Sequence, residues 1–370
     1  LFFKAFYKLF HLHFVLIGLR IIRLLSYFLG AFFLAVFLKN ITQAGKVRSL
    51  DFGISLLGLL AGYAFLPQTL SYNHLSVVLA CFWMALISGN LQKKRILISL
   101  GLVLALLAFV KIPTAGFLFL GTIIFSIRAK VSIRYLGLLV LPFVLMEFAL
   151  LCFVDASASQ RLWSGLGLMM GRSDYALGTL IKHTWVGVFW IGLSFLGSFL
   201  IFRFLTFRGL KLVGLLAWLA ALSWLTHITE EWNHVVLLLT AQLLGIISVE
   251  FQADFWKSPQ RIWILLLMAM PFVIHFGSNV YWLRIGIHYW VFWILALFIS
   301  MRNIPGFHEN QGGLVLGIVT CLLVFAGIWW KPFEQNSLWN YRVSWEYLPG
   351  KRIKLMPDQV QKLKELKTKK

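Results

Sequence analysis

The chain has 370 residues, of which 60% are hydrophobic and 13% are charged, and its mean hydropathy is +0.84. These values exclude an ordinary soluble domain, because a soluble fold carries far more polar surface. A net charge of +21 would suggest nucleic acid as the partner of a soluble protein. Here the cations fall mainly in short connections between apolar segments. The composition therefore predicts a polytopic membrane protein, with membrane lipid as a partner and no nucleic acid.

Twelve apolar segments approach or reach the roughly 20 residues that span a bilayer. In chain order they cover residues 14–37, 52–66, 75–91, 96–110, 113–127, 135–154, 184–202, 212–226, 235–250, 262–276, 285–301 and 313–329. This pattern predicts an all-α fold, with about twelve transmembrane helices within residues 1–329. A short tail follows at residues 330–370, where Pro349–Asp358 reads as a strand and a turn and Asp358–Leu366 has helical spacing. The tail either binds anionic lipid head groups or forms a small folded cap.

Basic residues occupy alternate connections between these segments. Fifteen cations mark one set of connections, namely Lys39, Lys46, Arg48, Lys93, Lys94, Arg95, Arg128, Lys130, Arg134, Arg203, Arg208, Lys211, Lys257, Arg261 and Arg302. The other set contains only five, namely Lys111, Arg161, Arg172, Lys182 and Arg284. Because positive loops stay in the cytoplasm, the first set is predicted to be cytoplasmic. The second set and the tail are then extracytoplasmic.

Polar and ionisable residues are concentrated in the cation-poor connections. These are the polar turn Pro67–His74, the Lys111–Thr114 stretch, the long Asp155–His183 connection, His227–His234 and the Pro271–Trp290 corner. Carriers tend to bind substrate near the bilayer midplane, and here the segment middles are largely apolar. Glu147, inside a segment, is the main exception. The one-sided clustering favours an enzyme that works at the outer membrane interface.

Four stretches carry a resemblance to a known class. Leu9–Phe37 begins with aromatic residues and continues as an apolar segment that contains Arg. Gly101–Phe119 begins with glycine and contains parts of two apolar segments joined by a Lys-x-Pro turn. Phe276–Asn279 reads Phe-Gly-Ser-Asn, and Tyr341–Leu366 forms a short tail. Together they resemble a bacterial GT-C glycosyltransferase. The resemblance implies a cell-envelope transferase in the bacterial inner membrane that moves a sugar from a polyprenyl-phosphate donor to an acceptor on the extracytoplasmic face.

The resemblance also implies roles for particular residues. The main catalytic carboxylate of the class lies in its first outward loop, which would precede Leu1, so a helix and an acidic loop are expected upstream. Candidate roles in this sequence fall to Asp155, Glu230 and Glu231 as further acidic groups; Lys111 and Arg284 for the donor phosphate; and His74, His275, Asn279 and Tyr281 for the sugar or acceptor. The alternatives are solvated carboxylates, snorkelling cations and an ordinary interfacial belt.

A metal site and two other functions remain as alternatives. His227, Glu230, Glu231 and His234 would share one helix face, and such groups bind divalent metals. Their H-x2-E-E-x2-H spacing matches neither H-E-x-x-H nor its inverted form, so no metal ligand is assigned. The chain could instead be a transporter or flippase of a lipid-linked or anionic substrate. It could also be a non-catalytic subunit that binds partners within a larger membrane complex.

Overall fold

The computed structural model describes residues 16–62, 71–154, 160, 163–165, 167, 177–230, 235–250, 259–276, 285–302, 313, 317, 343–348 and 350–368. The long elements among them are α1 Leu16–Thr42, α2 Ser49–Ala61, α3 Tyr72–Ile87, α4 Lys94–Val110, α5 Ile112–Arg128, α6 Ile133–Val154, α7 Leu177–Phe204, α8 Arg208–Glu230, α9 Val235–Glu250, α10 Gln260–His275, α11 Ile285–Arg302, the strands β1 Val343–Leu348 and β2 Lys351–Leu355, and α12 Pro357–Thr368.

The all-α prediction is confirmed for this bundle. Each of the first eleven predicted apolar segments corresponds to one helix, from α1 to α11. The twelfth segment lies mostly outside the described residues, and the number of membrane spans stays a prediction. Within the described part of the chain, three stretches are long and apolar enough to cross a membrane, namely Arg20–Thr42, Ile133–Cys152 and Trp185–Phe204. The helical fold is thus compatible with a membrane protein.

Two predicted boundaries are wrong in ways that matter for the site. Residues 72–74 were expected in a polar turn, but they form the first turn of α3. The Ser71 side chain caps that helix by accepting a hydrogen bond from the His74 backbone N–H at 3.2 Å. Such a cap satisfies one of the unpaired donors that begin every helix. Lys182, expected in a connection, lies within α7.

Successive helices run in opposite directions, and contacts between distant connections define two ends of the bundle. At one end, the Gln92 side-chain amide donates to the Ala129 carbonyl at 2.6 Å, and Lys211 pairs with Glu250 at 2.8 Å. At the other end, the Lys111 ammonium donates to the Ile274 carbonyl. We call the first the basic end and the second the polar end. The described cation-rich connections therefore share one end.

Helix α11 occupies the middle of the bundle. Every residue from Tyr289 to Ser300 is buried, and α11 packs against α2, α9 and α10. The Trp293 indole N–H donates to the Met268 carbonyl of α10 at 3.1 Å. Gly58 of α2 lies against the backbone of Val291, because a Cβ there would be 3.0 Å from the Val291 Cα. The core thus consists of apolar side chains with close backbone contacts.

Glycines set how closely some helices approach. Helix α4 packs against α6, and a Cβ at Gly101 would lie 2.5 Å from the Leu139 carbonyl oxygen. Helix α7 packs against α9, and a Cβ at Gly245 would lie 2.5 Å from the Phe195 carbonyl oxygen. Small residues at such crossings let backbones come together and gain packing energy.

We expect Gly101→Ala to lower the free energy of unfolding by about 1–3 kcal/mol, because the added methyl group meets a backbone atom that cannot move alone. Gly116→Ala in α5 is the matched control, since a Cβ there meets nothing within 4 Å. Thermal unfolding of both purified variants in one detergent would measure the difference. Equal melting temperatures would show that the backbones of α4 and α6 are not in close contact at Gly101.

A buried ion cluster links the two halves of the chain at the basic end. Asp51, in the first turn of α2, is fully buried. One of its carboxylate oxygens lies 2.6 Å from Arg302 Nη2 at the end of α11, and the other lies 3.1 Å from Arg48 Nε. Arg302 also lies over the Phe298 ring, 4.1 Å from its centre. A buried carboxylate with two cations joins elements that are 251 positions apart.

We expect Asp51→Asn to cost about 3–5 kcal/mol of unfolding free energy, because it leaves the Arg302 charge buried without its carboxylate. The control is Glu250→Gln, which removes the exposed Lys211 pair and should cost about 0–1 kcal/mol. Apparent melting temperatures of the two variants, measured in the same detergent, would test this. A loss of similar size in both would mean that burial adds nothing to the Asp51 cluster.

Candidate functional site

Three candidate residues from different parts of the chain lie at the polar end. His74 lies in the first turn of α3, Lys111 lies between α4 and α5, and His275 is the last residue of α10. Their exposed fractions are 0%, 5% and 5%. The alternation of helix direction places all three at one end, and the packing of α10 against α3 and α5 brings them close.

Lys111 holds three of these elements together. Its backbone is extended, with φ −158° and ψ 93°, where α4 ends and α5 begins. Its ammonium donates to Asn73 Oδ1 at 3.5 Å, to the Ile274 carbonyl, and to the His275 carbonyl at 3.4 Å. It also lies 5.7 Å from the centre of the Tyr72 ring, within range of a cation–π interaction. All three protons of the ammonium thus have an oxygen acceptor.

The electrostatics of Lys111 follow from its burial. Burial lowers the pKa of the ammonium to about 7, because the charged form loses its hydration. Its three acceptors are neutral oxygens, so among the described residues no carboxylate bonds Lys111 and cancels its positive charge. The predicted role of Lys111 in binding the donor phosphate would therefore be mainly electrostatic. Lys111 supplies positive potential to the polar end, and a phosphate oxygen would have to replace one of its present acceptors to bond it directly.

His74 lies in a second group of polar side chains, shared with α1. Its Nε2 is 2.6 Å from Ser26 Oγ, and its ring is 4.8 Å from the Tyr27 ring, measured between centres. Arg23, also fully buried, donates from Nη2 to the Tyr27 hydroxyl at 3.3 Å. The predicted His74 therefore belongs to an interhelical network and not to a solvent-exposed turn.

Arg23, Ser26 and Tyr27 were not among the site residues predicted from the sequence. Their spacing of three and four positions places them on one face of α1, and this was the available signal. Tyr289, near the start of α11, is also fully buried. Together these four residues extend the polar end from α10 and α5 across to α1 and α11.

The remaining candidates cannot be placed. Asp155, Glu231, Asn279, Tyr281 and Arg284 lie outside the described residues, as does the side chain of Glu230 at the end of α8. Their roles stay predictions. Within the described part of the chain, no group of three or more His, Cys, Asp or Glu side chains could hold a metal ion.

No known protein family, curated protein or solved structure matches this chain. The resemblance to GT-C glycosyltransferases therefore stays a hypothesis, and the geometry of the polar end has to support any function by itself. That geometry comprises two buried cations, Lys111 and Arg23, next to a buried imidazole and several hydroxyl groups. It suits recognition of a polar ligand that carries negative charge.

We expect the stability conferred by Lys111 to depend on pH. The unfolded lysine keeps its proton up to about pH 10.4, whereas the folded one loses it above about pH 7. The unfolded state therefore binds more protons between these values, and stability rises with pH there. The unfolding free energy of the wild type, relative to Lys111→Met, should increase by a few kcal/mol from pH 7 to pH 10. A constant difference between the two proteins would contradict the lowered pKa.

Proposed function

We propose that the chain is a membrane-embedded glycosyltransferase that moves a sugar from a polyprenyl-phosphate donor to an acceptor. Its polar end would face the extracytoplasmic side of a bacterial inner membrane, and its basic end the cytoplasm. The observation that carries the proposal is that Lys111 joins the start of α3 to the end of α10, through Asn73 and the His275 carbonyl. His74, next to Asn73, lies at the same end of the bundle.

The chemistry of the reaction makes use of such a site. The acceptor hydroxyl attacks the anomeric carbon, the bond from that carbon to the phosphate oxygen breaks, and a base takes the hydroxyl proton. Negative charge grows on the departing lipid phosphate. Fixed positive charges in a dry environment stabilise that charge without reorganising. Arg23 and, in its protonated form, Lys111 are buried cations at the polar end. Asp155, Glu230 and Glu231 are this chain's candidates for the base.

The interior between the two ends is mostly apolar, which favours chemistry at one end over passage through the bundle. Large aromatic side chains fill it, including Trp83, Phe292, Trp293 and Phe298. The Trp83 indole N–H donates locally to Thr122 Oγ1 at 2.9 Å. Alternating-access carriers place polar binding groups at the midplane, and these aromatic residues offer few.

One observation favours the transporter alternative. Gln242 lies midway along α9 and is 2% exposed, and within the described ranges neither its Nε2 nor its Oε1 has a hydrogen-bond partner. A buried amide without partners costs free energy, and it would be useful in a carrier that binds substrate at the midplane. A single amide is a smaller polar site than the cluster at the polar end, so we rank transport second.

The deciding experiment reconstitutes the intact gene product in liposomes with a polyprenyl-phosphate hexose and a mixture of envelope acceptors. Transfer predicts release of polyprenyl phosphate and a glycosylated product, both detected by mass spectrometry. Movement of the unmodified lipid between leaflets would support the carrier instead. If the protein neither binds nor alters the lipid, the proposal is wrong and a non-catalytic subunit becomes the better reading.

We further expect Lys111→Met to weaken binding of polyprenyl phosphate by about tenfold or more, because the bound phosphate loses a nearby buried positive charge. Lys94→Met is the matched control, since Lys94 also lies at the start of a helix, α4, but at the basic end and over the Tyr135 ring. Native mass spectrometry of both variants with polyprenyl phosphate would measure this. Equal affinities would exclude Lys111 from the phosphate site.

A further inference from the structure

The His74 imidazole is the starting point of a further inference about the polar end. His74 is fully buried and its Nε2 contacts Ser26, but its Nδ1 has no hydrogen-bond partner among the residues that the structure describes. A buried polar atom without a partner costs about 1–3 kcal/mol. Such atoms in native proteins call for an explanation, for example a group that binds there.

The neighbouring hydrogen bonds determine which proton the imidazole carries. The Ser26 hydroxyl donates its only proton to the Arg23 carbonyl at 2.7 Å. Ser26 Oγ must then accept from His74, at 2.6 Å, so Nε2 carries a proton. If Nδ1 carried the proton instead, a buried N–H would lack an acceptor, and buried N–H groups without partners are rarer than unsatisfied acceptors. The chain of bonds therefore leaves Nδ1 with a lone pair.

The ring is also fixed in place. It contacts the Tyr27 ring, with 4.8 Å between centres and an angle of 53° between the ring planes, and Arg23 donates a hydrogen bond to the Tyr27 hydroxyl from the same helix. The backbone N–H of His74 bonds the Ser71 cap. The imidazole thus presents one preorganised acceptor atom, and its other polar atom is already bonded.

We infer that His74 Nδ1 binds a hydroxyl group of the substrate as a hydrogen-bond acceptor. A lone pair needs a donor, and an ionised phosphate oxygen has no proton to give, so Nδ1 selects the hydroxyl-bearing part of the ligand. This inference rests on the proposed function and refines it. Lys111 and Arg23 act on the charged phosphate, while His74 distinguishes a sugar-bearing lipid from the bare lipid phosphate.

The test uses nitrogen NMR of the intact protein in nanodiscs, with ¹⁵N-labelled histidine and His74→Gln to assign the signals. Polyprenyl-phosphate glucose and polyprenyl-phosphate mannose are the ligands, and polyprenyl phosphate is the control. We expect an unprotonated Nδ1 and a protonated Nε2 in the free protein. Only the sugar-bearing lipids should then shift the Nδ1 resonance.

Two variants separate the two ring atoms. In His74→Gln, the amide N–H replaces Nε2–H and keeps the Ser26 bond, but the acceptor at Nδ1 is lost. In His74→Asn, the amide oxygen replaces Nδ1 as an acceptor, but the Ser26 bond is lost. We expect the Gln variant to bind the sugar-bearing lipids about tenfold more weakly and to bind polyprenyl phosphate as before. The Asn variant should keep a preference for the sugar-bearing lipids.

Several outcomes would overturn the inference. These are a protonated Nδ1 in the free protein, an Nδ1 shift that polyprenyl phosphate alone reproduces, and an Nδ1 resonance that no ligand changes because a buried water already bonds it. If the sugar-bearing lipids bind and Nδ1 does not respond, the inference fails and the proposed function stands. If none of these lipids binds, both fail.

Discussion

The polar end depends on the burial of one cation. An ammonium away from water needs oxygen acceptors, and the last carbonyls of a helix are acceptors without helical partners. Lys111 bonds the carbonyls of Ile274 and His275, where α10 ends. The negative end of the α10 dipole favours a cation at that position. The ammonium thus gains acceptors and the carbonyls gain a donor, and these bonds fix α10 to the turn between α4 and α5.

At the basic end, the buried charge is negative instead of positive, and it too lies at a helix end where the dipole favours it. Asp51 is a buried anion near the start of α2, where the helix dipole favours negative charge. Arg302 closes the pair from the end of α11. Charged contacts thus fasten the bundle at both ends, and the fully buried stretch of α11 lies between them. Helix ends that cannot drift keep side chains at the polar end in one geometry, as ligand binding requires.

Hydropathy and charge were enough to predict the helices and to place His74, Lys111 and His275 at one end, because alternating direction follows from counting segments. The pairing of Asp51 with Arg302 could not be predicted, since it depends on which helices lie side by side, and apolar faces resemble one another. The first turn of α3 was missed because a single cap, Ser71, begins the helix earlier than the apolar pattern does. Local chemistry decides such boundaries.

In the proposed enzyme, the polar end would bind its ligand through both positive charge and hydrogen bonding. The Lys111 protons are all bonded to protein oxygens, so what it offers a ligand is mainly positive potential, which is strong in a dry site but does not depend on the ligand's shape. His74 offers the reverse, because it provides one unpaired, well-oriented acceptor. Potential favours any lipid phosphate, whereas an oriented acceptor favours one that carries a hydroxyl group at the right place. Selection of the substrate would therefore arise between α1 and α3, and affinity for the lipid phosphate at the Lys111 junction.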